Sequence, residues 1–150
     1  MNTNRETTNA TPTTLTTPKA VVTRYVEAVA AGDLATMTAS FADDAVWHYP
    51  GSDLPLSGSW QGRDVIIEDF LGKATGTLFA PGSTPTVTLT SVIAEGDKVV
   101  AEWHAEGDAA TGKRYDNRCL GIYTVRDGKI TEVREYADTR HVGQALFGLA

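Results

Sequence analysis

Apolar residues along this chain change their spacing near its middle, and the change separates a helical half from a strand-forming half. Val22, Tyr25, Val26 and Val29 recur at i, i+3, i+4 and i+7, which puts them on one stripe of a helix. Thr17-Pro18 supplies an N-cap followed by proline at the first helical position, and Gly32 ends the run. Leu34, Met37 and Phe41 carry the helical spacing into a second, short helix. Residues 45–49 read as a short strand closed by Pro50-Gly51, and residues 64–71, with Val65, Ile66 and Phe70, as a third helix. After a Gly/Pro-rich link the period falls to two. Residues 84–94 are rich in Thr and Val, 98–106 follow the turn Glu95-Gly96-Asp97, and 113–138 read as two long strands joined by Arg126-Asp127-Gly128-Lys129. Asp-Gly between alternating segments is a strong hairpin signal, because glycine accepts the positive φ the turn requires. Residues 140–147 close the chain as a short helix, with Asp138 as its cap. Helices first and antiparallel strands afterwards is the α+β pattern.

Side chains alternate across a strand, so each strand carries two distinct sets. On the outgoing arm of the last hairpin Tyr115, Asn117, Cys119, Gly121 and Tyr123 share a face; on the return arm Thr131, Val133, Glu135 and Ala137 do. Asn117 and Glu135 are therefore polar groups among small or apolar neighbours. On 98–106, Val99, Ala101, Trp103 and Ala105 form one set, and Glu102, His104 and Glu106 form the other. Pattern alone reads the second set as a solvated face. Trp47 and Tyr49 share a face with His48 opposite, unless the register slips by one residue and exchanges them.

Composition narrows the function classes. The 150 residues suit one domain with one modest cavity, read here as 18–150 behind a disordered tail at 1–17 that is mostly Thr, Asn and Pro. A net charge of −6 argues against nucleic acid or an anionic membrane as partner. No apolar run approaches the ~18 residues of a membrane span, and the N-terminal stretch lacks the apolar core of a secretory signal. A single cysteine, Cys119, makes no internal disulfide. Cytoplasm is the expected location. Gly-rich phosphate loops and ligand-spaced His/Cys motifs are absent, so neither a cofactor nor a metal is expected.

The stretches RYVEAVAAGDL (24–34), FADDAV (41–46), the PG-to-QGRD loop and RDGKI…REYADT together resemble the nuclear transport factor 2-like superfamily, which includes ketosteroid isomerase, limonene-epoxide hydrolase and the SnoaL-like polyketide cyclases. The resemblance spans residues 19–138. It implies a cone: a curved antiparallel sheet wrapped around three N-terminal helices, with a deep internal pocket, and often a homodimer through the outer sheet face. Set against ketosteroid isomerase, Tyr25 matches the oxyanion tyrosine, whereas Tyr49 stands at the base position and Gly121 at the oxyanion-aspartate position. Set against limonene-epoxide hydrolase, Glu135 stands at the water-activating aspartate, His104 at the proton-transferring aspartate and Glu102 at its arginine. Trp47 and Tyr49 stand where that enzyme holds its water.

That comparison turns Glu102, His104 and Glu106 inward. The resulting expectation is a cofactor-free acid–base enzyme, of isomerase, cyclase or epoxide-hydrolase type, acting on a small, largely apolar oxygenated molecule. His104 moves the proton, Glu135 orients it or acts as base, and Tyr49 with Asn117 steadies negative charge. Trp47, Tyr25, Glu102, Glu106, Cys119, Gly121 and Val133 line the substrate site. Cys119 itself reads as a small buried residue with no base beside it. The alternative is a non-catalytic ligand binder or dimeric scaffold, whose interior polar groups are already tied to one another.

Overall fold

A computed structural model describes residues 17–150, so the tail expected over 1–17 lies, except for Thr17, outside the described residues. Helix α1 (Pro18–Ala31) starts as its sequence requires: the Thr17 hydroxyl accepts from the Ala20 amide at 3.2 Å, and Gly32 closes the helix at φ +69°. Its stripe of Val21, Val22, Tyr25, Val26 and Ala28 is buried against the sheet. Helix α2 (Leu34–Ala39) is capped by Asp33, whose carboxylate takes both the amide and the hydroxyl of Thr36. It stops before Phe41, which the spacing had assigned to it. Phe41 instead opens strand β1 (Phe41–Tyr49) and packs edge-on to Tyr25, with ring centroids 5.1 Å apart.

Five further strands follow: β2 (Gly58–Gln61), β3 (Thr86–Glu95), β4 (Lys98–Asp108), β5 (Arg114–Arg126) and β6 (Lys129–Tyr136). They form one sheet in the order β2-β1-β6-β5-β4-β3. The β3–β6 meander is antiparallel throughout, and Asp127 and Gly128 take φ +51° and +73° in the tight turn between β5 and β6. The sheet is nevertheless mixed: β1 runs parallel to β6, with Trp47 beside Val133. This corrects the wholly antiparallel expectation. Register irregularities at Leu89/Ser91 and Thr124/Val125 bend the meander so that one face is concave.

The third helix is a π-helix (Val65–Ala74) that turns Ile66, Ile67 and Phe70 into the core. At its end the Phe70 carbonyl accepts both the Thr75 amide and, at 2.8 Å, the Thr75 hydroxyl. Helix α3 (Thr139–Phe147) is capped by Asp138, which accepts from the His141 amide at 3.1 Å. Among the described residues no helix is long and apolar enough to cross a membrane.

Candidate functional site

The concave side of the sheet does not fill. Helix α1, the π-helix and residues 75–87 close over it and leave a cavity of about 410 Å³. Three strands aim their inward sets at it: Trp47 and Tyr49 from β1, Trp103 and Ala105 from β4, and Tyr115, Cys119 and Tyr123 from β5. Strand β6 adds Glu135, and α1 adds Tyr25.

Among the described residues Glu135 is the one carboxyl on this wall. Its Oε1 accepts from Trp47 Nε1 at 3.1 Å, a bond that crosses the parallel β1–β6 pair. The residue is half-buried: it lines this cavity and also a shallower pocket beside His48, Arg134 and Tyr136. Burial pushes its pKa up to about 8, against the smaller opposing pull of the Trp47 hydrogen bond. A group that is ordinarily a full anion at neutrality is here mostly protonated and able to exchange its proton near pH 8. Burial, and then the neighbouring Glu135, hold the Tyr25 and Tyr49 hydroxyls far above the ordinary phenol range. They remain neutral donors. Burial likewise pushes the Cys119 thiol up to about 12, so this cysteine is no thiolate nucleophile.

Among the described residues the hydroxyls of Tyr25 and Tyr49 have no hydrogen-bond partner, and neither oxygen is sealed in the core. Both residues border the cavity. Asn117 behaves differently. Its Nδ2 donates to the Asp138 carbonyl at 3.1 Å and its Oδ1 accepts from the Asp138 amide at 3.2 Å. It ties β5 to the start of α3 rather than offering a donor to a ligand. Gly121 and Val133 are buried on the inward face but do not border the cavity.

Glu102, His104 and Glu106 stand on the other side of the sheet, which corrects their assignment to the pocket. In β4 the apolar set Val99, Ala101, Trp103 and Ala105 is the one turned inward, opposite Tyr123, Gly121, Cys119 and Asn117 of β5. His104 pairs instead with Arg118 on the convex face. Its Nε2 lies 2.5 Å from Asp116 Oδ1 and its Nδ1 3.6 Å from Glu106 Oε2. The alternation of residue types in β4 decides its orientation: four apolar side chains bury more favourably than two glutamates and a histidine. His48 is also on the convex side, bonded to Ser59 at 2.9 Å, so β1 presents Tyr49 to the cavity without a register slip. None of the three histidines borders the cavity. His104, Glu106 and Asp116 do group potential metal-ligand atoms within 4.8 Å of one another, but outside the cavity.

Trp103 is a further wall residue, and its sequence signal is its place in the apolar set of β4. Tyr115 and Tyr123, which alternation puts on the face of Cys119, border the cavity as well. The wall formed by Phe79 and Ser83 comes from a link with no periodic signal at all, whereas Thr84, Pro85 and Val87 lie at the start of the stretch that reads as a strand.

Residues 22–133 match the SnoaL-like domain family. An uncharacterized protein of Mycobacterium tuberculosis is 38% identical over 120 residues, covering 79% of this chain and 87% of that protein. The solved structure of Bal32a, from a soil-derived mobile gene cassette, superposes with a TM-score of 0.76 at 27% identity, covering 88% of this chain and 98% of that one. An epoxide hydrolase of M. tuberculosis resembling limonene-epoxide hydrolase superposes with a TM-score of 0.65 at 21% identity, covering 87% and 90%. That last likeness is one of fold.

Proposed function

The chain belongs to the SnoaL-like domain family, with the cone fold of nuclear transport factor 2-like proteins, and from that premise we propose that it is a cofactor-free acid–base enzyme acting on a small, largely apolar oxygenated molecule. One observation carries the reading: among the described residues a single half-buried carboxyl, Glu135, shares an apolar cavity with Tyr25 and Tyr49, whose hydroxyls have no hydrogen-bond partner there. In this reading Glu135 takes the proton and the two hydroxyls donate to the oxygen on which negative charge develops. His104 has no part in it. One titrating group that removes a proton and returns it suits an isomerisation or enolisation better than water addition, which asks for a base and a separate acid.

Solvent exchange tests this without knowledge of the product. Small cyclic ketones incubated with the protein in D₂O are expected to gain deuterium only beside the carbonyl. The rate is expected to rise about tenfold per pH unit and to level off above about pH 8, as Glu135 ionises. A rate that falls above pH 8 would instead make Glu135 the proton donor, the role epoxide opening requires. Ketones that bind without exchanging would favour the second reading, a non-catalytic ligand binder. The observation on its side is that neither an imidazole nor a second carboxyl borders the cavity among the described residues.

We further propose that two copies pair through the convex face. Ile93 and Tyr136 are 66% and 50% exposed there, beside Val100, Leu120 and Ile122. Light scattering coupled to size exclusion is expected to give a dimer mass that Ile93→Glu with Tyr136→Glu halves. A wild-type monomer at micromolar concentration overturns the pairing.

A further inference from the structure

We propose that the same cavity binds lipophilic monocations: an ammonium group carried on a small apolar body. The inference concerns what the cavity holds rather than what it converts, so it stands or falls separately from the acid–base reading.

The charge balance of the wall is one-sided. Among the described residues that border the cavity there is no Lys, Arg or His, and Glu135 is the only group able to carry a formal charge at moderate pH. Its Oε1 is taken by the Trp47 indole, while no hydrogen bond to Oε2 is recorded among the described residues. A carboxylate in such a place lacks the counter-ion that buried charges usually acquire. The remaining wall is rich in rings, with Trp47, Tyr49, Phe70, Trp103, Tyr115 and Tyr123 bordering one space. Ring faces carry partial negative charge, and indole attracts a cation best. Carboxylate and rings together therefore favour one sign of ligand. An anion would meet repulsion from both and a positive partner from neither. A cation enters with a counter-ion already in place, the desolvation of Glu135 having been met by the fold itself.

Titration supports this. The Glu135 pKa of about 8 reflects burial without a cation nearby, and an ammonium beside it would draw the value down and release a proton on binding. The groups facing Glu135 do not confuse that signal. Tyr25 on α1, Tyr49 on β1, and Tyr115, Cys119 and Tyr123 on β5 are all held protonated beyond pH 9. Strand β4 contributes Trp103 and Ala105, and the π-helix contributes Phe70 and Leu71, none of which titrates. Arg134 and His48 border a second, shallower pocket beside Glu135, where both are engaged by Glu132, at 3.1 Å and 3.5 Å, and the Glu135→Gln variant below separates their contribution from that of Glu135.

The probes are phenyltrimethylammonium and tert-butylbenzene, which share a shape and differ in charge; neither titrates. Binding is read by quenching of Trp47 and Trp103 emission and by calorimetry on the full chain. At pH 9 the cation is expected to bind at least tenfold more tightly than the hydrocarbon. Its affinity is expected to rise at least tenfold from pH 6 to pH 9, while that of the hydrocarbon stays flat. Glu135→Gln should remove both the preference and the pH dependence while leaving hydrocarbon binding intact, which shows that the cavity persists. Equal binding of the two probes at pH 9, a flat pH response of the wild type, or no binding of the cation overturns the proposal. An inactive Glu135→Gln enzyme that keeps its cation preference sinks this inference but not the acid–base one; ketone exchange surviving in that variant does the reverse.

Discussion

Glu135→Gln is expected to slow solvent exchange into ketones by about 10²–10⁴-fold and, at the same time, to make the protein more stable than the wild type at alkaline pH. Both effects have one cause. In the folded chain the carboxyl titrates near pH 8, against an ordinary value of 4.5. Between those two values the folded state holds a proton that the unfolded state has lost, so stability falls as pH rises through the interval. The contribution is fully present below about pH 4.5 and fully lost above about pH 8. With each pKa unit equivalent to about 1.4 kcal/mol, the loss reaches up to about 5 kcal/mol; water admitted to the cavity makes this an upper figure. Glutamine keeps the shape and an acceptor for Trp47 Nε1 but does not ionise. Denaturant melts at pH 5 and pH 9 check the point: the variant should gain on the wild type by several kcal/mol between the two. Parallel curves at both pH values would mean that Glu135 is hydrated and that its chemistry is ordinary.

Gly121→Ala is expected to cost about 1–3 kcal/mol of stability and to disturb the cavity wall from behind. Gly121 stands between Ala101 of β4 and Glu135 of β6 in the sheet. A methyl group there would lie 2.6 Å from the Tyr123 ring and 3.1 Å from the Trp103 ring. Neither ring yields cheaply, because Tyr123 also packs on Tyr25 and Trp47, at centroid distances of 6.0 and 6.2 Å. Adding Tyr123→Leu to Gly121→Ala should recover part of the loss, and a denaturant double-mutant cycle measures that coupling. Simple additivity of the two changes would show that the rings do not rest on Gly121.

Much of this arrangement was legible before any coordinates. Thr17-Pro18, the stripe of α1, Asp127-Gly128 and the Asp138 cap each pair a local residue type with a local geometry, and each is found in place. The orientation of β4 was legible too: its residues alternate apolar and polar, and the apolar set is inside. What misdirected the reading of His104 was a resemblance between positions in a chain that puts no histidine there for the same purpose. Other features had no local signal. Parallel and antiparallel strands share a period of two, so the β1–β6 pairing could not be read from alternation. Strand β2 has four residues in a loop rich in proline and glycine, and a π-helix buries Ile66 and Phe70 at positions an α-helix would also bury. The exposed Asp43 and Asp44 hid the first half of β1.

The hydrogen bond between Trp47 and Glu135 joins positions 88 residues apart, through a parallel pair that only the last strand can complete. A growing polypeptide therefore leaves β1 without its inner neighbour until residues 129–136 have been made. Closure of so long a loop is entropically slow, and it falls late in folding rather than early. Until then the indole and the carboxyl belong to separate, half-made pieces, and the hollow between them does not exist. A chain cut short before residue 129 holds three helices and five strands, yet lacks the strand that joins β1 to the meander.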